Sequence, residues 1–158
     1  MQNDKLIVLD SFVKEVSKEL NVKFSFDIST FQRGIQRGKK YKIENFISPI
    51  YRTKSNEYEL SFIPYSTDSV ELWKINVNER GKGIGSEIMS SILDVSDRTG
   101  IKVKLVPVNY DEDENTPKDY FTRLRNWYSE GFEFQKPKLP FDQYFTYYPS
   151  KTDYKMVG

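Results

Sequence analysis

Apolar residues recur along this 158-residue chain at two spacings, helical and alternating, and the switches between them mark out its elements. Across residues 5–20, KLIVLDSFVKEVSKEL, Leu9, Phe12, Val13, Val16 and Leu20 fall on one stripe with lysines and glutamates opposite, which predicts a surface helix packed on a core. VKFSFDIS, residues 22–29, alternates Val22, Phe24, Phe26 and Ile28 and predicts a strand. Further on, YELSFIPYS and VELWKINVN predict two strands joined by a short polar turn at Thr67 and Asp68, an antiparallel hairpin. In the second of them, Trp73, Ile75 and Val77 are expected to share one face.

From Ile84 the period becomes helical. Ile84, Ile88, Ile92 and Val95 form a stripe widened by Met89 and Leu93, and the helix is expected to end near Arg98, Thr99 and Gly100. IKVKLVPV, residues 101–108, alternates as a strand. After the acidic DEDEN, Thr116 and Pro117 suit an N-cap and first helical residue, Phe121, Leu124 and Trp127 or Tyr128 supply an apolar face, and Gly131 stops the helix. GFEFQ and QYFTYYP predict a closing strand pair around KPKLPFD.

The stretch FQRGIQRGKKYKIENF carries Arg33, Arg37, Lys39, Lys40 and Lys42 around two glycines. It reads as a solvated basic loop, with contact to nucleic acid or to the acidic end of a substrate as the other reading. Over the whole chain charge is balanced: 24 Lys plus Arg against 23 Asp plus Glu leaves +1, so nothing suggests bulk attraction to nucleic acid or to an anionic membrane. No apolar run approaches a membrane span and the first residues lack a signal-peptide pattern, so a single cytoplasmic domain is expected.

Two absences limit the chemistry. Without cysteine there is no disulfide, thiolate nucleophile or cysteine zinc site. Without histidine, a general base must be a carboxylate, a tyrosine, a lysine of lowered pKa or water, and Ser-His and Cys-His mechanisms are excluded.

The segment joining strand 70–78 to the helix reads RGKGIG, with Gly81, Gly83 and Gly85 expected to take positive φ and let several amides converge on an anion. It is neither a Walker loop, which needs Lys and Ser or Thr after its last glycine, nor G-x-G-x-x-G. It matches R-x-x-G-x-G through Arg80, Gly83 and Gly85, and so resembles the coenzyme A pyrophosphate loop of the GCN5-related N-acetyltransferases. WYSEGFE is similar to that family's second signature, a tyrosine ahead of a Gly-Phe pair, here Tyr128 before Gly131 and Phe132. The family tyrosine more often stands one residue earlier, where this chain has Trp127.

The resemblance covers residues 57–149, with 1–56 divergent, and implies an α/β (α+β) fold: a mixed, mainly antiparallel central sheet flanked by helices, with acyl-CoA at residues 72–93. It implies acetyl transfer from acetyl-CoA, as cosubstrate and without a metal, to a primary amine of a small molecule or protein. Arg80 and the amides of Gly81, Lys82, Gly83, Ile84, Gly85 and Ser86 would hold the pyrophosphate, and backbone groups of Trp73, Lys74 and Ile75 would pair with the pantetheine arm. Asn109 would contact the cofactor or only cap a turn. Tyr128 would donate a proton to the departing sulfur, and Glu71, Glu59 or a solvent relay would accept the amine's proton. The alternative is a family-like module that binds acyl-CoA or a protein without turnover. A homodimer would pair through the aromatic terminal hairpin.

Overall fold

The computed structural model describes residues 2–37, 40–78, 83–105 and 145–149. Within them, helix α1 (Gln2–Leu20), strands β1 (Ser25–Arg37), β2 (Lys40–Lys54), β3 (Tyr58–Pro64) and β4 (Ser69–Val77), helix α2 (Ile84–Thr99) and strands β5 (Lys102–Leu105) and β6 (Phe145–Tyr147) follow in chain order. The sheet order is β1-β2-β3-β4-β5-β6, antiparallel throughout except for the parallel pair β4 and β5. That parallel pair is joined through α2, the kind of crossover that parallel neighbours require. This is a mixed α+β sheet protein with two helices among the described residues. None of those helices is long and apolar enough to cross a membrane.

Both helices lie on one face of the sheet. The predicted α1 stripe is buried at Leu9, Phe12, Val13 and Val16, and Leu20 packs at its margin. It meets Tyr58, Leu60 and Phe62 of β3, Val70 and Leu72 of β4, and the α2 stripe of Ile88, Met89, Ile92, Leu93 and Val95. Each such side chain contributes about 1.5–3 kcal/mol through removal from water, and the Phe12 and Phe62 rings meet edge to face at 5.4 Å.

Helix ends follow local chemistry. Asn21 takes φ 55 just after α1, and the Val22 amide donates to the Ser17 carbonyl at 3.1 Å, a Schellman closure in which Asn substitutes for Gly. At the far end of α2, Gly100 takes φ 77 and its amide donates to the Ser96 carbonyl at 2.8 Å, as the sequence predicts.

The stretch expected to be a basic loop is instead most of a β-ribbon. β1 and β2 pair in continuous register from Ser25 with Arg52 to Arg37 with Lys40. Periodicity explains why: no proline interrupts residues 31–46, Phe31 pairs with Phe46, and position 33 pairs with Glu44. Arg37 and Lys39, and Lys40 and Lys42, stand two apart, a spacing that suits a strand as well as a loop. The N-terminal region therefore contributes a helix and two strands.

Tyr51 ties this ribbon to α1 by donating its hydroxyl to Asp10 Oδ1 at 2.6 Å. Burial, then the hydrogen bond to Asp10 and its negative charge, push the phenol up to about 12. An unfolded tyrosine titrates near 10, so this contribution is complete below pH 10 and is lost as pH rises through 12. Solvent screening keeps it within about 1 kcal/mol. Tyr51→Phe is expected to flatten the fall in urea-unfolding free energy between pH 10 and 12 relative to the parent; parallel curves for the two proteins would rule the linkage out.

Candidate active site

The β3–β4 ladder holds a bulge. Tyr58 to Ser61 pair with Val77 to Lys74, yet Phe62 pairs with Leu72, so Trp73 is an extra residue. Its consequence is a change of phase: Val70 and Leu72 face the helices before it, and Ile75 and Val77 pack against the same core after it. The expectation that Trp73, Ile75 and Val77 share a face is therefore wrong. Trp73, next to helix-facing Leu72, lies on the sheet's second face, its ring 5.1 Å from Phe31 and 5.9 Å from Phe46, and the extra residue returns Ile75 and Val77 to the helix side.

Those ring contacts also define the path of the ribbon. The β2–β3 ladder stops at Tyr51 with Phe62, and Phe46 lies five residues beyond. A flat continuation would carry Phe46 roughly 15 Å past that point, in the direction of Ser69 and away from Trp73. Contact with Trp73 requires the ribbon to curl back across the second face. There Ser48, Ile50, Ile63, Ser61 and Glu71 are buried outside the helix-side core.

Glu71 is the buried carboxylate of this face, 3% exposed, with Ile63 of β3 and Lys104 of β5 as its register partners. Lys104 donates to Thr146 Oγ1 at 3.2 Å and lies 4.8 Å from the Tyr65 ring centroid. Glu59, the other carboxylate on the central strands, has a different setting. Its oxygens lie 3.4 Å from Lys74 Nζ and 3.7 Å from Lys54 Nζ. Burial pushes its carboxyl up, but Lys74, with Lys54 and Asn76, outweighs this and holds it below the ordinary glutamate range. A carboxylate held ionised by two cations is a poorer proton acceptor. Lys74 is thereby an exposed ion-pair partner of Glu59.

β4 is paired with β5 over only part of its length. Its parallel ladder with β5 covers Ser69 to Glu71, and among the described residues no strand pairs with the β5-side edge of Leu72 to Val77. Trp73, Lys74 and Ile75 lie on that edge, and α2 is the next described element of the chain. There Gly83 is the N-cap with φ 79 and ψ 3, and among the described residues no side chain caps the helix. The Glu87 amide donates to the Gly83 carbonyl at 3.0 Å, closing the first turn. An α-helix leaves its first amides without intrahelical acceptors, so those of Ile84, Gly85 and Ser86 form an anion-directed end. Gly85, expected at positive φ, is an ordinary helical residue, and an added Cβ would meet Val77 Cγ2 at 3.5 Å. Only Gly83 of this pair needs glycine for its conformation.

No protein-family model matches the chain, and no characterised protein matches it in sequence. It is similar to the crystal structure of the anti-CRISPR protein AcrVA5. The alignment covers 62% of this chain and 97% of that one, at 17% identity and a TM-score of 0.46. That likeness is too low to carry an argument.

Of the predicted site residues, the structure places Glu71 and Trp73 on the second face, Lys74 and Ile75 along β4 beyond its ladder with β5, and Gly83, Ile84, Gly85 and Ser86 at the head of α2. Arg80, Gly81, Lys82, Asn109 and Tyr128 lie outside the described residues, as do the helix expected after Pro117 and the strand expected at 131–135. No group of three carboxylates among the described residues could hold a metal ion. Phe31 and Phe46 were not among the sequence's candidates. Their signal is a cross-strand aromatic pair, legible only once residues 31–46 are seen as a hairpin.

Proposed function

We propose that the chain is an acetyl-CoA-dependent N-acetyltransferase of the GCN5-related type. The observation that carries this reading is the succession of three features: a bulged strand that, among the described residues, no strand pairs with on its β5 side at residues 72–77, a left-handed Gly83, and a helix start that no described side chain caps. An extended amide-bearing chain such as pantetheine suits the first, because backbone donors and acceptors along a strand edge pair with amides. A diphosphate suits the last, through helix-end amides and the Arg80 guanidinium.

In this reading the β4 edge orients the thioester, and a backbone N–H near Ile75 stabilises the oxyanion as the amine nitrogen attacks the carbonyl carbon. The carbon–sulfur bond then breaks and an amide forms. Glu71 takes the proton lost by the amine, directly or through water, and Tyr128 supplies one to the departing thiolate. The finer fold assignment, with residues 72–93 as the acyl-CoA site, belongs to the same proposal.

Release of free thiol from acetyl-CoA in the presence of a panel of primary amines tests the reaction, and native mass spectrometry tests cofactor binding. Arg80→Ala is expected to weaken acetyl-CoA binding about 10- to 100-fold, in keeping with the ~1.5–3 kcal/mol of hydrogen bonds to charged groups. Unchanged affinity in that variant would remove the pyrophosphate assignment. Cofactor binding by the parent without thiol release would favour a non-catalytic binding module.

A further inference from the structure

We infer that β1 is the interface of a homodimer, in which two copies of the chain pair their β1 strands antiparallel about a twofold axis at Thr30 and so join their sheets into one. The inference is independent of the acetyltransferase reading, and its surface lies at the opposite end of the sheet from β6.

The β1 edge is long and unguarded. It is a terminal strand, and among the described residues no strand pairs with its outer side. Natural edges are blunted by shortness, bulges, proline or lysine. β6, at the other end, is only three residues long. β1 runs from Ser25 to Arg37 in unbroken register with β2 and contains neither proline nor lysine. From residue 26 to residue 36 its even-numbered positions carry no charge, and neither do the β2 residues opposite them. On that face Phe26 is 46% exposed and Ile43 55%, with Ile28 and Ile47 still more so. An uncharged, apolar face in a chain of which 30% is charged selects a partner surface of its own kind.

The complement to this edge is the edge itself. Residues opposite one another on paired strands share a face, and pairing about Thr30 sets residue 27 of one copy against residue 33 of the other, and 26 against 34. The first match places Asp27, whose side chain is 60% exposed where it holds Arg52 at 3.3 Å, across from a position where the sequence has arginine. Opposite charges facing each other across strands attract. The second match lays the Phe26 ring over Gly34, which has no side chain, and towards Ile43, the β2 partner of that glycine. An aromatic ring across from a strand glycine covers bare backbone. Symmetry makes each match twice. Registers that keep the same faces together but shift the pairing by two residues set Asp27 against Phe31 or Ile35, where the carboxylate would lose water without gaining a cation.

The chain has no cysteine, so Thr30→Cys introduces a single thiol. Directly opposed residues of antiparallel strands have Cα atoms about 4.5–5.5 Å apart, within the reach of a disulfide, and this variant is expected to cross-link to a covalent dimer under mild oxidation. Gln32→Cys would put the two thiols roughly 13 Å apart along the strands and should stay largely unlinked. By sedimentation equilibrium the parent should be dimeric at micromolar concentration. Asp27→Arg and Arg33→Asp should each weaken the dimer about tenfold or more, because two attractive pairs become repulsive, and the double variant should return to the parent value. A monomeric parent would overturn the proposal. So would a dimer in which Thr30→Cys does not link, as expected of pairing through the terminal hairpin, or one in which Gln32→Cys links as readily. If a charge variant does not fold, the two cysteine variants, both at exposed positions, still decide.

Discussion

Glu71→Gln is expected to lower kcat by about 10²–10⁴, the range that a positioned general base contributes, with acetyl-CoA affinity and thermal stability near those of the parent. Glutamine keeps the size and much of the hydrogen-bonding capacity of glutamate but cannot accept the proton. The defect should shrink as pH rises towards the ordinary pKa of an alkyl amine, about 10.4, because deprotonated acceptor is then supplied by solution. A merely structural role would lower stability and leave the pH dependence alone. Activity within threefold of the parent at neutral pH would move proton removal to solvent. The companion variant Glu59→Gln should have a much smaller effect on kcat, because that carboxylate is already engaged by Lys74 and Lys54.

Phe62→Ala is expected to cost about 3–5 kcal/mol of unfolding free energy. Phe62 is fully buried where α1 crosses β3, with Phe12 at 5.4 Å and Phe24 at 6.1 Å. Truncation removes the transfer free energy of the ring and leaves a cavity that β3, paired on both sides, cannot close. Domains of this size are stable by only about 5–15 kcal/mol, so the variant should lose much of its urea-unfolding midpoint. Phe62→Leu, which keeps most of the volume, gives a measurable intermediate if the alanine variant does not fold. A loss below about 1 kcal/mol in the alanine variant would mean that the two helices do not depend on this contact.

The same site follows from two sources of unequal reach. Burial of Leu9, Phe12, Val13 and Val16, the α2 stripe and the stop at Gly100 are consequences of a 3.6-residue period and of glycine's access to left-handed backbone, both local properties. The strand-to-helix passage through Gly83 is local for the same reason. Trp73 and Glu71 were legible as candidates because they lie on that strand, but nothing within nine residues tells which face each takes. A bulge is set by the mismatch between two ladders, and the chain carries no periodic mark of it.

What the amino-acid order determined by itself was the identity and sequence of the main helices and central strands, and the glycine-opened helix start, because each depends on neighbours within one or two turns. The tertiary structure alone decided that a basic stretch is a curled ribbon, that Trp73 turns to Phe31 and Phe46, and that Glu71 is buried while Glu59 is held by lysines. Those outcomes depend on cross-strand register, where one inserted residue exchanges the two faces of a strand.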